Sequence, residues 1–239
     1  MATLPFVSVL TPTYNRVQYI KRLVACYKAQ KYPKESMEWI ILDDGQESCK
    51  TVLEEETANL PNIRYIYSEE KVNIGAKRNM LNSLAKGEII VCMDDDDYYC
   101  PERISHVVES FRTNPKINLA GSSELYIYYV DSQEIFKLGP YGPNHATNGT
   151  MAYRKTYAKT HTYDEDVIYA EERSFLEEYI NPMIQLDPLK VMLVMSHDEN
   201  TFNKDSLRIN KSPFIKKTTL KIDDFISDPN LRAYFSVKD

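Results

Sequence analysis

The stretch Glu88-Ile-Ile-Val-Cys-Met-Asp-Asp-Asp-Asp-Tyr-Tyr-Cys-Pro101 runs from an apolar segment into four consecutive acids and on to a proline. Residues 88–93 have the length and composition of a buried strand, and Pro101 suits the first turn of a helix carrying Ile104, Val107, Val108 and Phe111 as its apolar stripe. A strand followed by acids and then a helix is the unit from which the rest is read.

The unit recurs upstream. Residues 6–10 read as a short buried strand, with Asn15 as helix N-cap, Gln18 three residues on, and a stripe of Ile20, Leu23, Val24 and Tyr27. Further strands are predicted at 37–42 and 63–67, and a helix over about 76–86 terminated by Gly87. Alternation of this kind requires crossovers, so the chain is predicted to be α/β, a doubly wound and mostly parallel sheet with helices on both faces. The second half changes character. A hairpin at 125–130 and 134–138 turning at Asp131-Ser132, a strand at 150–154, and a helix around Phe175, Leu176, Tyr179 and Ile180 make it mixed α+β. The division expected is 1–203 as one domain, in halves 1–115 and 116–203, followed by a basic extension over 204–239.

Composition narrows the function. With 239 residues, 43% hydrophobic and 27% charged, there is no apolar run long enough for a membrane span, and 12 Pro with 7 Gly exclude collagen-like and low-complexity classes. Neither glycine-rich phosphate-loop pattern occurs. A net charge of −6 argues against nucleic acid as a partner. Cys26, Cys49, Cys92 and Cys100 lack paired spacing and read as reduced, buried thiols. The segment Met1-Ala-Thr-Leu-Pro-Phe6 lacks a secretory pattern, so the expectation is a cytoplasmic protein, peripheral to a membrane at most, whose Asn148-Gly-Thr150 sequon stays unmodified.

Ligands of open α/β sheets bind at the carboxyl ends of the strands. There lie Thr11-Pro-Thr-Tyr-Asn-Arg16, Asp43-Asp-Gly45 and Asp94 to Asp97: six carboxylates at one edge, which repel unless a cation sits among them. A calcium loop counted from Asp94 fails, because Tyr99 and Ser105 stand where Gly and Glu are needed. Oxygen ligands of this kind favour Mg²⁺ or Mn²⁺, shared with a substrate diphosphate. Tyr14 is placed to stack on a base, Asp44 to accept a base N–H, and Arg78 to neutralise charge. An ordinary turn at 43–45 and a solvated acidic turn at 94–97 are the plainer readings.

Taken together, Val7-Ser-Val-Leu-Thr-Pro-Thr-Tyr-Asn-Arg16, Ile41-Leu-Asp-Asp-Gly45, Gly75-Ala-Lys-Arg-Asn79 and Val91 to Pro101 resemble the family 2 glycosyltransferases of the GT-A fold, in that family's order, over about residues 6–200. The resemblance implies transfer of one sugar, with inversion, from a nucleotide-sugar, most readily a UDP-sugar, to a glycan, lipid or protein acceptor. It makes 1–115 the nucleotide-sugar half and 116–203 the acceptor and base half. Thr11, Tyr14, Asp44 and Arg78 become nucleotide-binding candidates. Asp94 falls near the ribose and Asp96 on the metal, with Asp95 as the alternative if the register shifts by one. His197, after an apolar strand at 191–195, matches a third metal ligand, or is an ordinary structural histidine. The base matches Glu172 or Glu171 in Ala170-Glu-Glu-Arg173; acids in a first helical turn also stabilise the helix dipole by themselves. His145, Asn148 and Arg154 resemble the acceptor-side strand, without assigned roles. The only tryptophan, Trp39, lies in a strand, so the motif of processive synthases is missing. The sequence also has a flavour similar to small glycosyltransferases of large DNA viruses. A sugar-phosphate nucleotidyltransferase and a non-catalytic nucleotide- or carbohydrate-binding module are the rival readings.

The basic residues Lys204, Arg208, Lys211, Lys216, Lys217 and Lys221, against Asp205, are expected to form a lid over the diphosphate, a contact with an anionic membrane, or a solvated surface.

Overall fold

A computed structural model describes residues 3–197, 204–209 and 212–236. Strands β1 (Val7–Thr13), β2 (Met37–Asp43), β3 (Ile63–Tyr67) and β4 (Ile89–Cys92) run parallel in the order β3-β2-β1-β4. Helices α1 (Ile20–Ala29), α2 (Lys50–Thr57) and α3 (Ile74–Leu84) connect them. Beyond β4 and the short β5 (Tyr98–Tyr99) comes α4 (Arg103–Thr113), then β6 (Leu119–Gly121) and the hairpin β7 (Leu125–Tyr129) and β8 (Glu134–Leu138). There follow β9 (Ala152–Arg154), α5 (Lys155–Ala158), α6 (Glu172–Phe175), β10 (Met183–Gln185) and β11 (Met192–Ser196). The tail holds α7 (Asp205–Ile209), β12 (Ile215–Lys217), α8 (Ile222–Phe225) and α9 (Pro229–Ala233).

Every residue of β1 and β2 is buried, as a parallel strand covered on both faces must be. Alternation sorts their side chains. Val7, Val9, Trp39, Ile41 and Val91 pack with Leu23 and Val24 of α1, Leu53 of α2 and Ile104, Val107 and Phe111 of α4. Leu10, Ile40, Leu42, Ile90 and Cys92 pack on the opposite face with Leu81 of α3, Tyr157 of α5 and Phe175 of α6. The sheet is therefore doubly wound, as predicted, and extends through antiparallel β9 to β6 and β10.

A second sheet, ordered β12-β8-β7-β11-β5, lies beside the first. Its two-residue strand β5 pairs with β11 through Tyr99–Met192 and Tyr98–Leu193. Asp94 to Asp97 thus bridge the two sheets, leaving β4 at one end and entering β5 at the other. Phe225 and Phe235 of the tail close this side, edge-on to Tyr126 and Tyr98.

Three local expectations are corrected. Asn15 does not cap α1; it takes a left-handed φ of 53° and its Oδ1 accepts from Gln46 N at 2.7 Å, tying the β1 loop to the β2 loop. Gly87 does not terminate α3, which ends at Leu84, three residues earlier; a Cβ at Gly87 would lie 2.4 Å from Ser8 N, so close strand packing demands glycine. The helix expected around Phe175 to Ile180 is one turn long, because Glu177, Glu178 and Tyr179 are left-handed, at φ of 48°, 58° and 63°. Helix α2 and strands β5, β6 and β10 have no counterpart in the sequence reading. All four cysteines are free and buried. Among the described residues no helix is long and apolar enough to cross a membrane.

Candidate active site

One cleft of about 1210 Å³ opens between the carboxyl ends of β1 and β4, helix α3, the loop before α6 and the tail. Tyr14, Arg78, Asp94, Asp95, Asp96, Glu171 and Glu172 all line it.

Strand β2 delivers Asp43 and Asp44, with different roles. Asp43 Oδ1 accepts from Gly45 N at 2.9 Å, and Oδ2 from Cys49 N at 3.0 Å and Tyr65 Oη at 2.7 Å, so it builds the turn into α2. Asp44 is ion-paired with Lys77 Nζ through Oδ1 and accepts from Val72 N at 2.7 Å through Oδ2. Lys77 also donates to Thr13 O at 3.0 Å; burial pulls its ammonium below the usual lysine value, and Asp44 opposes that shift. The Tyr14 ring carries Lys71 Nζ 4.2 Å from its centroid, so that face already attracts a cation. Thr11 stands apart from the other candidates. Its hydroxyl donates to Met93 O at 2.6 Å and accepts from Trp39 Nε1 at 2.9 Å, and it is fully buried within the sheet instead of facing a ligand.

The four consecutive aspartates diverge. Arg78 Nη2 donates to Asp94 Oδ1 at 3.1 Å. Burial, then Asp96, raises the Asp95 carboxyl well above its ordinary value. Asp97 also lines the cleft, but its Oδ1 accepts from Met195 N at 2.8 Å and holds β11; burial and the neighbouring Asp96 push it up to about 7. Asp96 goes the other way. Burial opposes its ionisation, but the His197 hydrogen bond and the charges of Lys204 and His197 hold it below the usual carboxylate range. His197 Nε2 lies 3.1 Å from Asp96 Oδ2, and its Nδ1 lies 3.1 Å from Tyr19 Oη, so Tyr19 sets the ring's orientation. The repulsion anticipated from the sequence is real, and it falls unevenly.

This donor set suits a hard divalent ion. Asp96 and His197 converge, Asp94 lies two residues away, and among the described residues no group of three or more His, Cys, Asp or Glu encloses a site on its own. Mg²⁺ and Mn²⁺ accept few protein ligands and take the remainder from water and phosphate oxygens.

Across the cleft, the loop before α6 presents both glutamates from Ala170, itself left-handed at φ 54°. Glu171 Oε1 accepts from Arg78 Nε at 2.8 Å, an ion pair whose side chains are each 8% exposed. Among the described residues, Glu172 Oε2 accepts a longer side-chain bond from Asn148 Nδ2, at 3.3 Å. Burial, then the Glu171 charge, raises the Glu172 carboxyl to about 7. Asn148 is held by Tyr163 Oη, which donates to its Oδ1 at 2.9 Å. Arg154 plays no part in the cleft; its guanidinium donates to Ile117 O and Phe111 O and anchors the end of α4.

Sequence reasoning missed Lys77, Lys71 and Tyr19. Lys77 lay inside the Gly75-Ala-Lys-Arg-Asn79 segment, but nothing in a sequence says that its ammonium meets Asp44. In the tail, Lys204 Nζ turns inward to Met195 O at 2.8 Å and lines the cleft with Ser206 and Leu207. Arg208 pairs with Asp131 at 3.0 Å and Asp205 at 2.5 Å, and Lys217 pairs with Glu134. Much of the expected basic patch is thereby neutralised; Lys211 lies outside the described residues.

The sequence profile of Glycosyl transferase family 2 matches residues 8–166. An uncharacterized glycosyltransferase of Methanocaldococcus jannaschii is 26% identical over 233 residues, covering 91% of this chain and 79% of that protein. A putative colanic acid biosynthesis glycosyl transferase of Escherichia coli K12 is 37% identical over 102 residues, 42% of this chain, and the chain spans only 36% of that relative. Among solved structures, Staphylococcus aureus TarS 1-349 in complex with UDP-GlcNAc superposes with a TM-score of 0.64 at 19% identity, covering 85% of this chain and 65% of that one. The mannosyltransferase PcManGT of Pyrobaculum calidifontis, in complex with GDP-Man and Mn²⁺, gives 0.66 at 13% identity, covering 87% and 61%. The doubly wound sheet with its antiparallel annex is thus the GT-A type, and a family match over most of the chain, spanning the acidic segments after β2 and β4, makes this protein a member of glycosyl transferase family 2.

Proposed function

We propose that this family 2 glycosyltransferase moves one sugar from a nucleoside-diphosphate sugar, most readily a UDP-sugar, to an acceptor hydroxyl with inversion at the anomeric carbon. The observation that carries it is the opposition, in one cleft, of the Asp94–Asp96 cluster and a poorly solvated glutamate, Glu172, whose carboxyl is raised to about 7. A base so tuned is half-ionised near neutrality and strong enough to take a hydroxyl proton. Glu171 is instead committed to an ion pair with Arg78.

The residues divide the work. Tyr14 supports the base and Asp44, oriented by Lys77 and Val72 N, accepts from its edge. Glu172 removes the acceptor proton as the acceptor oxygen bonds to the anomeric carbon; the bond from that carbon to the diphosphate breaks, and its electron pair leaves with the nucleoside diphosphate. Asn148 keeps Glu172 on the acceptor side. Asp96, Asp94 and His197 would hold Mg²⁺ or Mn²⁺, which when bound neutralises charge developing on the departing diphosphate. Neighbours captured with UDP-GlcNAc and with GDP-Man and Mn²⁺ support this donor class.

Titration calorimetry tests the reading. UDP or GDP is expected to bind with Mn²⁺ present and to lose at least about tenfold in affinity with EDTA or in Asp96→Asn. Undiminished binding under both conditions would remove the proposal.

A further inference from the structure

Helix α1 supplies no acid to the cleft, yet one of its arginines reaches both Asp96 and the residue that orients His197. Arg22 is 5% exposed. Its Nη2 donates to the main-chain oxygen of Asp96 at 3.0 Å, and its guanidinium lies 3.8 Å from the centroid of the Tyr19 ring. Tyr19 is fully buried and meets His197 in turn, with ring centroids 4.9 Å apart and Oη 3.1 Å from Nδ1.

We propose that Arg22 is a positioning residue for the divalent ion, fixing Asp96 through its backbone and His197 through Tyr19, and that the end of the C-terminal tail holds Arg22 in that role. The assignment rests on the metal-assisted transfer reading above and adds the unit that aligns these two side chains.

The local chain accounts for the arrangement. Tyr19 closes the 3₁₀ turn at 17–19 that leads into α1, and Arg22 follows three residues later, a spacing that sets two side chains on one helical face. Asp96 lies between β4 and β5, outside both strands, so its carbonyl takes a donor from elsewhere and Arg22 supplies it. A planar guanidinium suits this double task, because it donates in its plane while its face rests on a phenol ring. An ammonium is a point charge without that face. One side chain thereby ties the acidic loop and the histidine's partner to the same helix.

The end of the tail completes the support. The buried Phe235 ring lies 5.6 Å from the Arg22 guanidinium and edge-on to Tyr98 at 5.4 Å, and Tyr98 Oη donates to Phe225 O at 3.1 Å. Tyr98 stands two residues after Asp96, so residues 225–235 hold both the acidic loop and the arginine that bonds it. Ile226 and Leu231 are buried with them, which makes this end of the tail an apolar buttress beyond the basic stretch.

An arginine kept for stability alone would leave ion affinity untouched, and the experiment separates the two roles. The full chain is titrated with Mn²⁺ in excess UDP, free Mn²⁺ being read by electron paramagnetic resonance, and UDP affinity is measured by calorimetry with Mn²⁺ and with EDTA. Arg22→Met and Tyr19→Phe are each expected to weaken Mn²⁺ about tenfold, as loss of an outer partner of a metal ligand does. Phe235→Ala should weaken it about three- to tenfold, while UDP affinity in EDTA stays within about twofold of wild type. Arg22→Lys keeps the charge without the planar fork and should remain at least about threefold weaker; with circular dichroism, it decides the matter should Arg22→Met fail to fold. Wild-type Mn²⁺ affinity in Arg22→Lys or in Tyr19→Phe overturns the proposal and leaves the transfer reading intact, as does a loss of UDP affinity in EDTA equal to the loss with Mn²⁺. Weakened Mn²⁺ in those two variants with no change in Phe235→Ala keeps the positioning pair and removes the tail from it. A wild-type protein that binds no Mn²⁺ with UDP overturns the metal-assisted reading and the positioning role together.

Discussion

Arg78 Nε lies 2.8 Å from Glu171 Oε1, both side chains almost wholly buried, and this pair fastens α3 to the loop that opens α6. The same guanidinium reaches Asp94, so one cation sets the spacing between the two acidic walls of the cleft.

Arg78→Ala would leave Glu171 buried and uncompensated, a change that typically costs about 3–5 kcal/mol. Urea unfolding should show a loss in that range. Arg78→Lys should recover little of it, since a single ammonium cannot replace a fork that serves two carboxylates. A loss below about 1 kcal/mol would show that the pair does not organise the cleft.

The pH dependence of transfer should report Glu172. With its folded pKa near 7, kcat/KM is expected to rise about tenfold per pH unit below 7 and then level off. Glu172→Gln should abolish that limb and cost at least about a hundredfold in rate. Stability carries the opposite sign. The folded pKa stands above the ordinary 4.5, so the folded state holds this proton more tightly. The group's stabilisation is complete below about 4.5 and is lost as pH rises through about 7, and Glu172→Gln should flatten that slope in thermal melts.

Removing the ring of Tyr14 tests the nucleoside pocket. Base stacking on an aromatic side chain is worth about 1–3 kcal/mol, so Tyr14→Ala should weaken UDP by at least about fivefold, while Tyr14→Phe keeps most of the affinity. Equal affinities for wild type and Tyr14→Ala would place the base elsewhere.

Gly75 starts α3 against the loop that carries the glutamates. A Cβ there would lie 1.9 Å from Asp164 O, an overlap that neither backbone can absorb in place. Gly75→Ala should displace residues 164–165 and break the bonds that Asn73 and Asn79 make to Glu165, at 3.1 and 3.0 Å. The expected outcome is a loss of about 1–3 kcal/mol in unfolding free energy together with reduced transfer. An unperturbed Tm would mean that the loop yields freely.

The linear order of residues was enough for the parallel strands, because β1 to β4 are apolar runs of the right length and their covered faces leave no polar alternation to confuse the reading. It also located the acidic end of the sheet: carboxylates following parallel strands must meet at one edge, as Asp44 after β2 and Asp94 and Asp96 after β4 do, whereas Glu172 comes to the cleft at the start of α6. Sequence could not say which of these acids is free to act. Thr11 is sealed between Met93 and Trp39, Asp97 holds β11, and Glu171 is committed to Arg78, while burial and the neighbouring Glu171 charge raise the Glu172 carboxyl. Nor could it foresee the one-turn α6. Phe175, Leu176, Tyr179 and Ile180 have helical spacing, yet contacts across the fold, chiefly Tyr179 on His145, outweigh local preference and turn the backbone left-handed. Short-range pattern follows from each segment's need to bury its apolar side chains; protonation, pairing and strain depend on which distant segment arrives alongside.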